Sequence, residues 1–466
     1  MKERVAIVED LAAVVLAAGK GTRMKSKRAK VLHEIAGRPL LFYPLLAAKE
    51  AGCQKISVVV GHQGDEVVAA LSGMGVDCVW QTEQLGTGHA LLCAAEKLTG
   101  FSGDLLLLCG DVPLLTAETV AQLLALHRTE KVAVTVLTAS LKNPQGYGRI
   151  LREGENVKAI VEEKDASEDE RAICEINTGT YVFDADFVFS VLPGLGKENA
   201  QGEYYLTDVI AAAVAAGRKT RALCLADSNE ALGINDRLQL AEANSLMRQR
   251  INRQLMLDGV TLIDPQTTYV DAGVEIGSDS LLHPGVHIRG RTRIGRDCIV
   301  ETGVQIDSSQ IADHVHLKNG SVIEESQVGV NCKIGPMAHL RAGTELLGGN
   351  KIGNFVETKK ARLEENSQAS HLTYIGDAEV GKNVNFGCGT ITCNYDGVNK
   401  HKTIVEDDVF IGSDTQFIAP VRIGRNSLIA AGSTITRDVP ADSLALSRTQ
   451  QKVIEGWRTK HPLKKK

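Results

Sequence analysis

The 466-residue sequence has no apolar run approaching the roughly 18 to 20 residues that a bilayer-spanning helix requires. Its longest early one, Leu11 to Ala18, is strand-sized. It follows Glu9 and Asp10 rather than a basic leader, and no small-residue cleavage pattern accompanies it, so no membrane insertion and a cytoplasmic location are expected. A surplus of positive charge is missing too. The 52 basic and 57 acidic residues leave a formal charge of −5, which implies no general attraction to nucleic acid. Paired cysteines are also absent: Cys53, Cys78, Cys93, Cys109, Cys174, Cys224, Cys298, Cys332, Cys388 and Cys393 form no C-x-x-C and no Cys/His zinc spacing. They read as reduced thiols, mostly small buried hydrophobes. What remains is ordinary globular composition, 43% hydrophobic and 23% charged, in a chain long enough for two or more domains.

Two textures divide that length. Up to about residue 235, apolar runs (Ala12 to Leu16, Ile56 to Val60, Leu105 to Cys109, Val132 to Leu137, Tyr181 to Phe183) alternate with helix-like segments. This α/β alternation predicts a largely parallel sheet covered by helices, with ligands bound beyond the carboxyl ends of the strands. Asn235 to Leu257 then reads as one helix, suited to connecting two domains. From Val270 an aliphatic residue recurs every six positions, through Ile276, Leu282, Ile288, Ile294, Val300 and Ile306. The phase slips by one at Ile311 and again at Val328, and the repeat returns from Val405 to Ile435. A six-residue unit of short strand plus turn predicts an all-β second domain, a parallel β-helix whose aliphatic residues stack inward. The general crossover rule favours a right-handed coil. Residues 355–379 and the loop Cys393 to Thr403 interrupt the pattern, and interruptions of a solenoid are candidate binding sites. The tail, with Trp457 and Lys464 to Lys466, reads as a basic, solvated terminus.

After the first strand comes Ala17-Ala18-Gly19-Lys20-Gly21-Thr22-Arg23-Met24, a glycine turn carrying cations. Backbone amides at such a turn can converge on phosphate oxygens while Lys20 and Arg23 offset charge. It is neither a Walker A motif nor a dinucleotide fingerprint, and by itself could be an ordinary turn. Three further strings stand beside it: Lys30-Val31-Leu32-His33, the segment Gln81 to Ala90 (QTEQLGTGHA), and Cys109-Gly110-Asp111-Val112-Pro113-Leu114. An Asp at the end of an apolar strand is well placed to hold Mg²⁺.

Together these strings resemble the sugar-nucleotide pyrophosphorylases, and Q-L-G-T-G-H-A the uridylyltransferase branch. The resemblance implies a Rossmann-like nucleotidyltransferase domain in which Leu16, Ala17, Ala18 and Gly19 lie along the nucleotide. It implies that Gln81, Gly86 and Thr87 select uracil, and that Lys30 and Arg23 contact phosphates and serve catalysis. Gly148, Glu162 and Asn177 would contact the amino sugar, and Asp111 and Asn235 would bind Mg²⁺. Asn235 also has a reading as a helix cap, and Glu162 as a surface acid in an acidic run. One departure is Ala29, where the family commonly has Pro before the loop lysine.

Within the hexapeptide region stand Arg341, Lys359, the string His371-Leu372-Thr373-Tyr374-Ile375-Gly376-Asp377, and Gly389 to Gly397 (GTITCNYDG). A lone histidine of this kind is often a hydrogen-bonded surface group. In this setting the strings resemble the acetyltransferase half of the bacterial bifunctional N-acetylglucosamine-1-phosphate uridylyltransferase/glucosamine-1-phosphate N-acetyltransferase family, and both halves match in order. That family's β-helix is left-handed and trimeric, so a homotrimer is implied. His371 would be the general base toward the glucosamine amine, a step suited to a neutral imidazole. The resemblance assigns Arg341 and Lys359 to the sugar phosphate, and Tyr374, Asn385 and Lys400 to the sugar. It assigns Asn394, Tyr395, Ser413, Ala431 and Arg448 to acetyl-CoA. Cys388 stands where a small alanine is common; it reads as a packing residue, the alternative being a catalytic thiol.

The expected organisation is a uridylyltransferase domain over residues 1–236, a helical linker over 237–258 and an acetyltransferase domain over 259–466. The expected product is UDP-N-acetylglucosamine, made from UTP, acetyl-CoA and amino-sugar 1-phosphates for the cell envelope. The alternatives are a monofunctional pyrophosphorylase whose β-helix only oligomerises, and a non-catalytic sugar-nucleotide sensor.

Overall fold

The computed structural model describes residues 11–462, so the expected basic run Lys464–Lys466 lies outside the described residues. The chain divides into two compact units between Met247 and Arg248.

The amino-terminal unit is built on a sheet whose main path runs Thr220–Cys224, Val134–Ser140, Glu175–Asp184, Asp104–Cys109, Leu11–Ala17, Lys55–Val60, Asp77–Trp80. Leu11–Ala17 is parallel to both its neighbours. Glu175–Asp184, containing the run Tyr181 to Phe183, is antiparallel to both of its own, so the sheet is mixed. A short apolar run carries no direction, and only the pairing Tyr181 with Leu107 sets it. Alternate residues of the central strand enter two cores. Ala13, Val15 and Ala17 pack with Leu45, Ala48 and Leu123, while Ala12 and Val14 pack with Leu91, Ala94 and Val209. Helices therefore cover both faces, which is why the strands read as unbroken apolar runs. Leu16 pairs with Cys109, so the segments beginning at Ala18 and Gly110 emerge side by side from neighbouring strand ends.

In the carboxyl-terminal unit short strands from Thr261–Leu262 to Leu444–Ala445 stack as a parallel β-helix. One face is an 11-stranded sheet; the other two are interleaved ladders within a 17-stranded sheet. Leu281 pairs with Ile299, a coil of 18 residues or three six-residue units. Ile299 pairs with His316 and His316 with Lys333, coils of 17 residues. One residue fewer per coil is the physical origin of the phase slips at Ile311 and Val328. The inward residues form one continuous core that includes Val270, Leu282, Ile288, Ile294, Val300 and Ile306.

Residues 355–379 do not interrupt this winding. Glu357–Leu363 and Tyr374–Val380 pair from Glu357 with Tyr374 to Leu363 with Val380. The buried positions there include Thr358, Ala361, Ala369 and Ala378, side chains too small or too polar to register as an aliphatic period. The loop after Cys393 is a true insertion: Asn385 pairs with Phe410, a coil of 25 residues.

The helix expected from Asn235 spans Arg237–Leu257. In its carboxyl-terminal part Leu255 joins the β-helix core and Ile251 packs against it. Asn252, buried, donates from Nδ2 to the carbonyls of Pro265 at 2.8 Å and Thr268 at 2.9 Å. Arg248 stands over the Tyr269 ring at 4.7 Å, and that ring stacks on His287 at 4.6 Å. Asn252→Ala strands two carbonyls and is expected to destabilise this attachment by about 1–3 kcal/mol. Faster amide hydrogen exchange at Thr261 and Tyr269 in the full chain is the measurement that checks it.

Candidate active sites

Gly21 has φ of 59°, and a Cβ on it would approach Lys30 Cβ to 2.7 Å. A residue without a side chain is therefore required where the Lys30 segment crosses the turn. Beyond the strand ends lies a cavity of about 430 Å³. Leu16, Ala17, Ala18, Gly19, Lys20, Lys30, Gln81, Gly86, Thr87 and Asp111 line it, bringing the glycine turn, the lysine segment, the Q-L-G-T-G-H-A loop and the Asp111 strand end together. Arg23 is exposed and outside that lining. Val31, Gln84, Ala90, Cys109 and Glu203 also line the cavity, although the sequence reading assigned them no role. Val31, Gln84, Ala90 and Cys109 lie within the motif strings, and Glu203 arrives from a distant loop whose Tyr204 carbonyl accepts from Gly88 N–H at 2.9 Å.

The Lys30 ammonium forms an ion pair with Asp111 and donates to Asn235 Oδ1 at 3.3 Å. Asn235 reaches this point because Ile234 N–H donates to the Asp111 carbonyl at 2.9 Å, fastening the loop against the strand end. Asn235 does not cap the following helix. Asp236 does, its Oδ1 accepting from Leu238 N–H and Gln239 N–H at 2.9 Å each. A carboxylate and an amide oxygen thus turn toward one positive charge, with the ammonium as stand-in cation. Such hard oxygen donors suit a divalent ion that takes its remaining ligands from phosphates and water. Among the described residues no three His, Cys, Asp or Glu side chains cluster as a complete protein metal cage.

Gly148, Glu162 and Asn177 come together beside this site, though outside the cavity lining. The Gly148 carbonyl accepts from Asn177 N–H at 2.9 Å. A Cβ on Gly148 would stand 3.5 Å from both Asn177 Cβ and Glu162 Cδ. Glu162 is half-buried rather than a surface acid; burial raises its carboxyl pKa, and the Thr207 hydroxyl, donating at 3.5 Å, partly opposes the rise. Tyr147, next to Gly148, has its hydroxyl pushed up by burial and then by the Asp111 carboxylate, so the two groups share one electrostatic neighbourhood. Fully buried Arg149 underpins the loop through its ion pair with Glu163 at 2.7 Å.

On the β-helix, Lys359 lies opposite Gly376 in the ladder, and the Tyr374 hydroxyl stands over Gly376. The charges of Lys400 and then Arg341 lower the Lys359 pKa, placing three cations in one neighbourhood. Arg341 is held by Glu357 at 2.7 Å. Asn394, buried, donates to the Asp377 carboxylate, and the backbones of Tyr395 and Lys400 pair antiparallel across the inserted loop. His371 ends the strand Gln368–His371, three residues before Tyr374 opens the next, and is exposed.

From His371 a second group climbs one corner of the coil. Gly389 N–H donates to the Leu372 carbonyl at 3.0 Å, Asp414 N–H to that of Cys388 at 2.7 Å, and Gly432 N–H to that of Ser413 at 2.8 Å. Cys388, Ser413 and Ala431 therefore stand in successive coils, and Arg448 Cδ comes within 3.7 Å of a Cβ placed on Gly432. Asn385 lies in the next coil, paired with Gln368 at the start of the strand that His371 ends.

Three known protein families match separate parts of this chain. Residues 13–171 match the MobA-like NTP transferase domain, residues 261–363 the GMPPB C-terminal domain, and residues 402–437 the bacterial transferase hexapeptide (six repeats). A "Bifunctional protein GlmU" of Syntrophotalea carbinolica is 63% identical, the alignment covering 97% of this chain and 98% of the relative. Proteins of the same name from Pelobacter propionicus and Geotalea uraniireducens are 56% and 55% identical, over 98% and 97% of this chain and 100% of each relative. The chain belongs to the bifunctional GlmU family. Its first half is accordingly a Rossmann-like nucleotidyltransferase domain, and its second the left-handed parallel β-helix of hexapeptide repeats rather than the right-handed coil of the general crossover rule.

Proposed function

We propose that this chain makes UDP-N-acetylglucosamine by two transfers at two centres: acetylation of glucosamine 1-phosphate, then uridylyl transfer to N-acetylglucosamine 1-phosphate. The observation that carries the nucleotidyl half is one cation held between Asp111 and Asn235 at the mouth of a glycine-lined cavity. In this reading those two residues hold a divalent ion, Mg²⁺, when substrates bind. The ion supplies charge neutralisation at the phosphates. Lys30, displaced from that pair, follows the negative charge of the triphosphate, with Lys20 on the cavity wall and Arg23 outside it. Leu16, Ala17, Ala18 and Gly19 lie along the nucleotide, while Gln81, Gly86 and Thr87 take the uracil. A phosphate oxygen of the sugar 1-phosphate displaces pyrophosphate from the α-phosphorus of UTP in line, so positioning and electrostatics suffice.

Gly148, Glu162 and Asn177 hold the amino sugar, with Glu162 accepting hydrogen bonds as a carboxylate. Its raised pKa means that this acceptor is lost at a higher pH than an ordinary glutamate carboxylate would be. The KM for N-acetylglucosamine 1-phosphate is expected to rise as pH falls through that raised value and to stay constant at higher pH. In Glu162→Gln the KM should be high throughout and independent of pH over the same interval, which pH-resolved kinetics check.

At the acyl centre Arg341, Lys359 and Lys400 form the anion site for the sugar phosphate; the crowding of these like charges supports it. A β-helix serving only oligomerisation has no use for such crowding. Tyr374 and Asn385 border the sugar, Asn394 and Tyr395 the acetyl group, and the corner with Cys388, Ser413, Ala431 and Arg448 carries acetyl-CoA. His371 takes the proton as the amine nitrogen attacks the thioester carbonyl; the C–S bond breaks and the sulfur leaves as CoA thiol. Cys388 packs beside the site and forms no acyl intermediate.

The assembly is a homotrimer with acyl sites between neighbouring coils. A ladder of outward Phe410, Leu428 and Leu444, paired in register and 52%, 45% and 63% exposed, supports burial against another copy. Cytoplasmic location fits the free cysteines and the substrates, and among the described residues no helix is long and apolar enough to cross a membrane.

The test is to assay the full chain for pyrophosphate release from UTP with N-acetylglucosamine 1-phosphate, and for thiol release from acetyl-CoA with glucosamine 1-phosphate. Both are expected. Absence of either overturns the corresponding half.

A further inference from the structure

Gln81 is 3% exposed, yet it lines the nucleotide cavity. Its side-chain nitrogen is committed twice, donating to the Gly86 carbonyl at 3.0 Å and lying 3.1 Å from His89 Nδ1. An amide N–H₂ can approach Nδ1 only if that nitrogen is an acceptor, so the ring hydrogen belongs on Nε2. Nε2 faces Cys93 Sγ at 3.8 Å, one helical turn on, a soft acceptor for that hydrogen. The ring is itself stacked on Tyr204, centroids 6.3 Å apart and planes 27° apart. Lys197 Nζ stands 4.4 Å from the centroid of the same Tyr204 ring. His89 is thus held from the helix and from the 197–204 loop, with one nitrogen aimed at Gln81.

We infer that His89 is a positioning residue for nucleobase selection: together with the Gly86 carbonyl it fixes the Gln81 amide so that only its oxygen is presented to the base. Nothing among the described residues donates to that oxygen. A fixed acceptor matches uracil, whose N3–H donates, and opposes cytosine, whose N3 is itself an acceptor. Were the amide free to turn, its N–H₂ would satisfy cytosine equally well. The Gly86 carbonyl alone is a weak fastening, because it belongs to a loop that must itself meet the nucleotide. This inference rests on the reading of Gln81 as the base contact.

The experiment measures kcat/KM of the full chain for UTP and for CTP in wild type, His89→Leu, His89→Asn and His89→Gln. Leu removes the acceptor; Asn carries a side-chain oxygen near the position of Nδ1; Gln carries it too far out, near Nε2. His89→Leu and His89→Gln should lose about tenfold of the UTP preference, the loss residing in KM for UTP rather than kcat, and His89→Asn should regain most of it. An unchanged UTP:CTP ratio in both His89→Leu and His89→Gln would overturn the inference. So would equal losses for both nucleotides in all three variants, which mark a merely structural residue. If His89→Leu does not fold, the Asn and Gln pair decides alone. Wild-type chain that releases no pyrophosphate from UTP refutes the nucleotidyl reading itself, and the His89 inference with it.

Discussion

Asp111→Ala is expected to reduce UTP-dependent pyrophosphate release by at least about 10²–10³-fold while leaving thiol release from acetyl-CoA at the wild-type rate. The size follows from what Asp111 does in the structure. Its carboxylate is the only full negative charge bonded to the Lys30 ammonium among the described residues, and Asn235 Oδ1 at 3.3 Å is the neutral second acceptor. Removing the carboxylate leaves a single amide oxygen, too weak a donor to hold a divalent ion. It also frees Lys30 to seat itself on the triphosphate before metal arrives. Asp111→Asn separates these effects: it keeps an oxygen in place but removes the charge, so it should lose activity nearly as far and regain part of it at high Mg²⁺ concentration. Alanine at Asn235 should lose less than alanine at Asp111, because a neutral donor contributes less to holding a cation. Sparing of thiol release is as informative as the loss. The acyl residues all lie within the second compact unit, so an Asp111 variant that lost both activities would refute the assignment of separate centres.

How much of this could be read in the chain differs between the two units, for physical reasons. A solenoid repeats one contact, so Val270 through Ile306 declare their stacking by spacing alone, and the length of each face of the coil is written directly as a period of six. The same logic fails between 355 and 379, where Thr358, Ala361, Ala369 and Ala378 fill the interior without being large or aliphatic. A corner shortened by one residue likewise shows as lost phase, with nothing in the composition to mark it as continuous winding. In the nucleotidyl unit the motifs identified the cavity, but the contacts that define it join residues far apart in sequence. Lys30 and Asn235 meet across 205 positions through a backbone bond at Ile234, which no local pattern encodes. Asn235 and Asp236 are both good caps, and only the direction of the preceding loop turns Asn235 toward Lys30 and leaves the cap to Asp236. Glu162 has two readings, an amino-sugar contact and a member of an exposed acidic run, and only the fold decides between them by standing it with Asn177 around Gly148. Glu203 carried no signal of its own, since its role comes from where the Tyr204 backbone docks under Gly86 and Gly88.

His371→Ala should produce the opposite separation: thiol release lower by about 10²–10⁴-fold, the range for losing a positioned general base, with pyrophosphate release unchanged. The strand Gln368–His371 delivers the imidazole exposed at a corner, where Thr373 Oγ1 donates to the His371 carbonyl at 2.7 Å and fixes the turn. Thr373 thereby sets the direction of approach without touching the ring. The loss should fall on kcat, because the acetyl-CoA corner of Cys388, Ser413, Ala431 and Arg448 and the cations Arg341, Lys359 and Lys400 remain intact. Added imidazole should restore part of the rate, since the space vacated opens to solvent. Cys388 supplies the counter-test. A ping-pong enzyme with an acyl-thiol would lose all activity in Cys388→Ala and would show a burst of thiol without sugar; direct transfer predicts neither. In Cys388→Ala the thiol-release rate is expected near wild type, because a half-buried thiol between Gly387 and Gly389 is replaced by a slightly smaller side chain in the same turn. If Cys388→Ala proved inactive while His371→Ala kept its rate, the proton would leave by another route and the transfer would pass through sulfur. The cationic cluster would then remain a substrate anchor, and the imidazole would be reduced to a surface group at the corner of the coil.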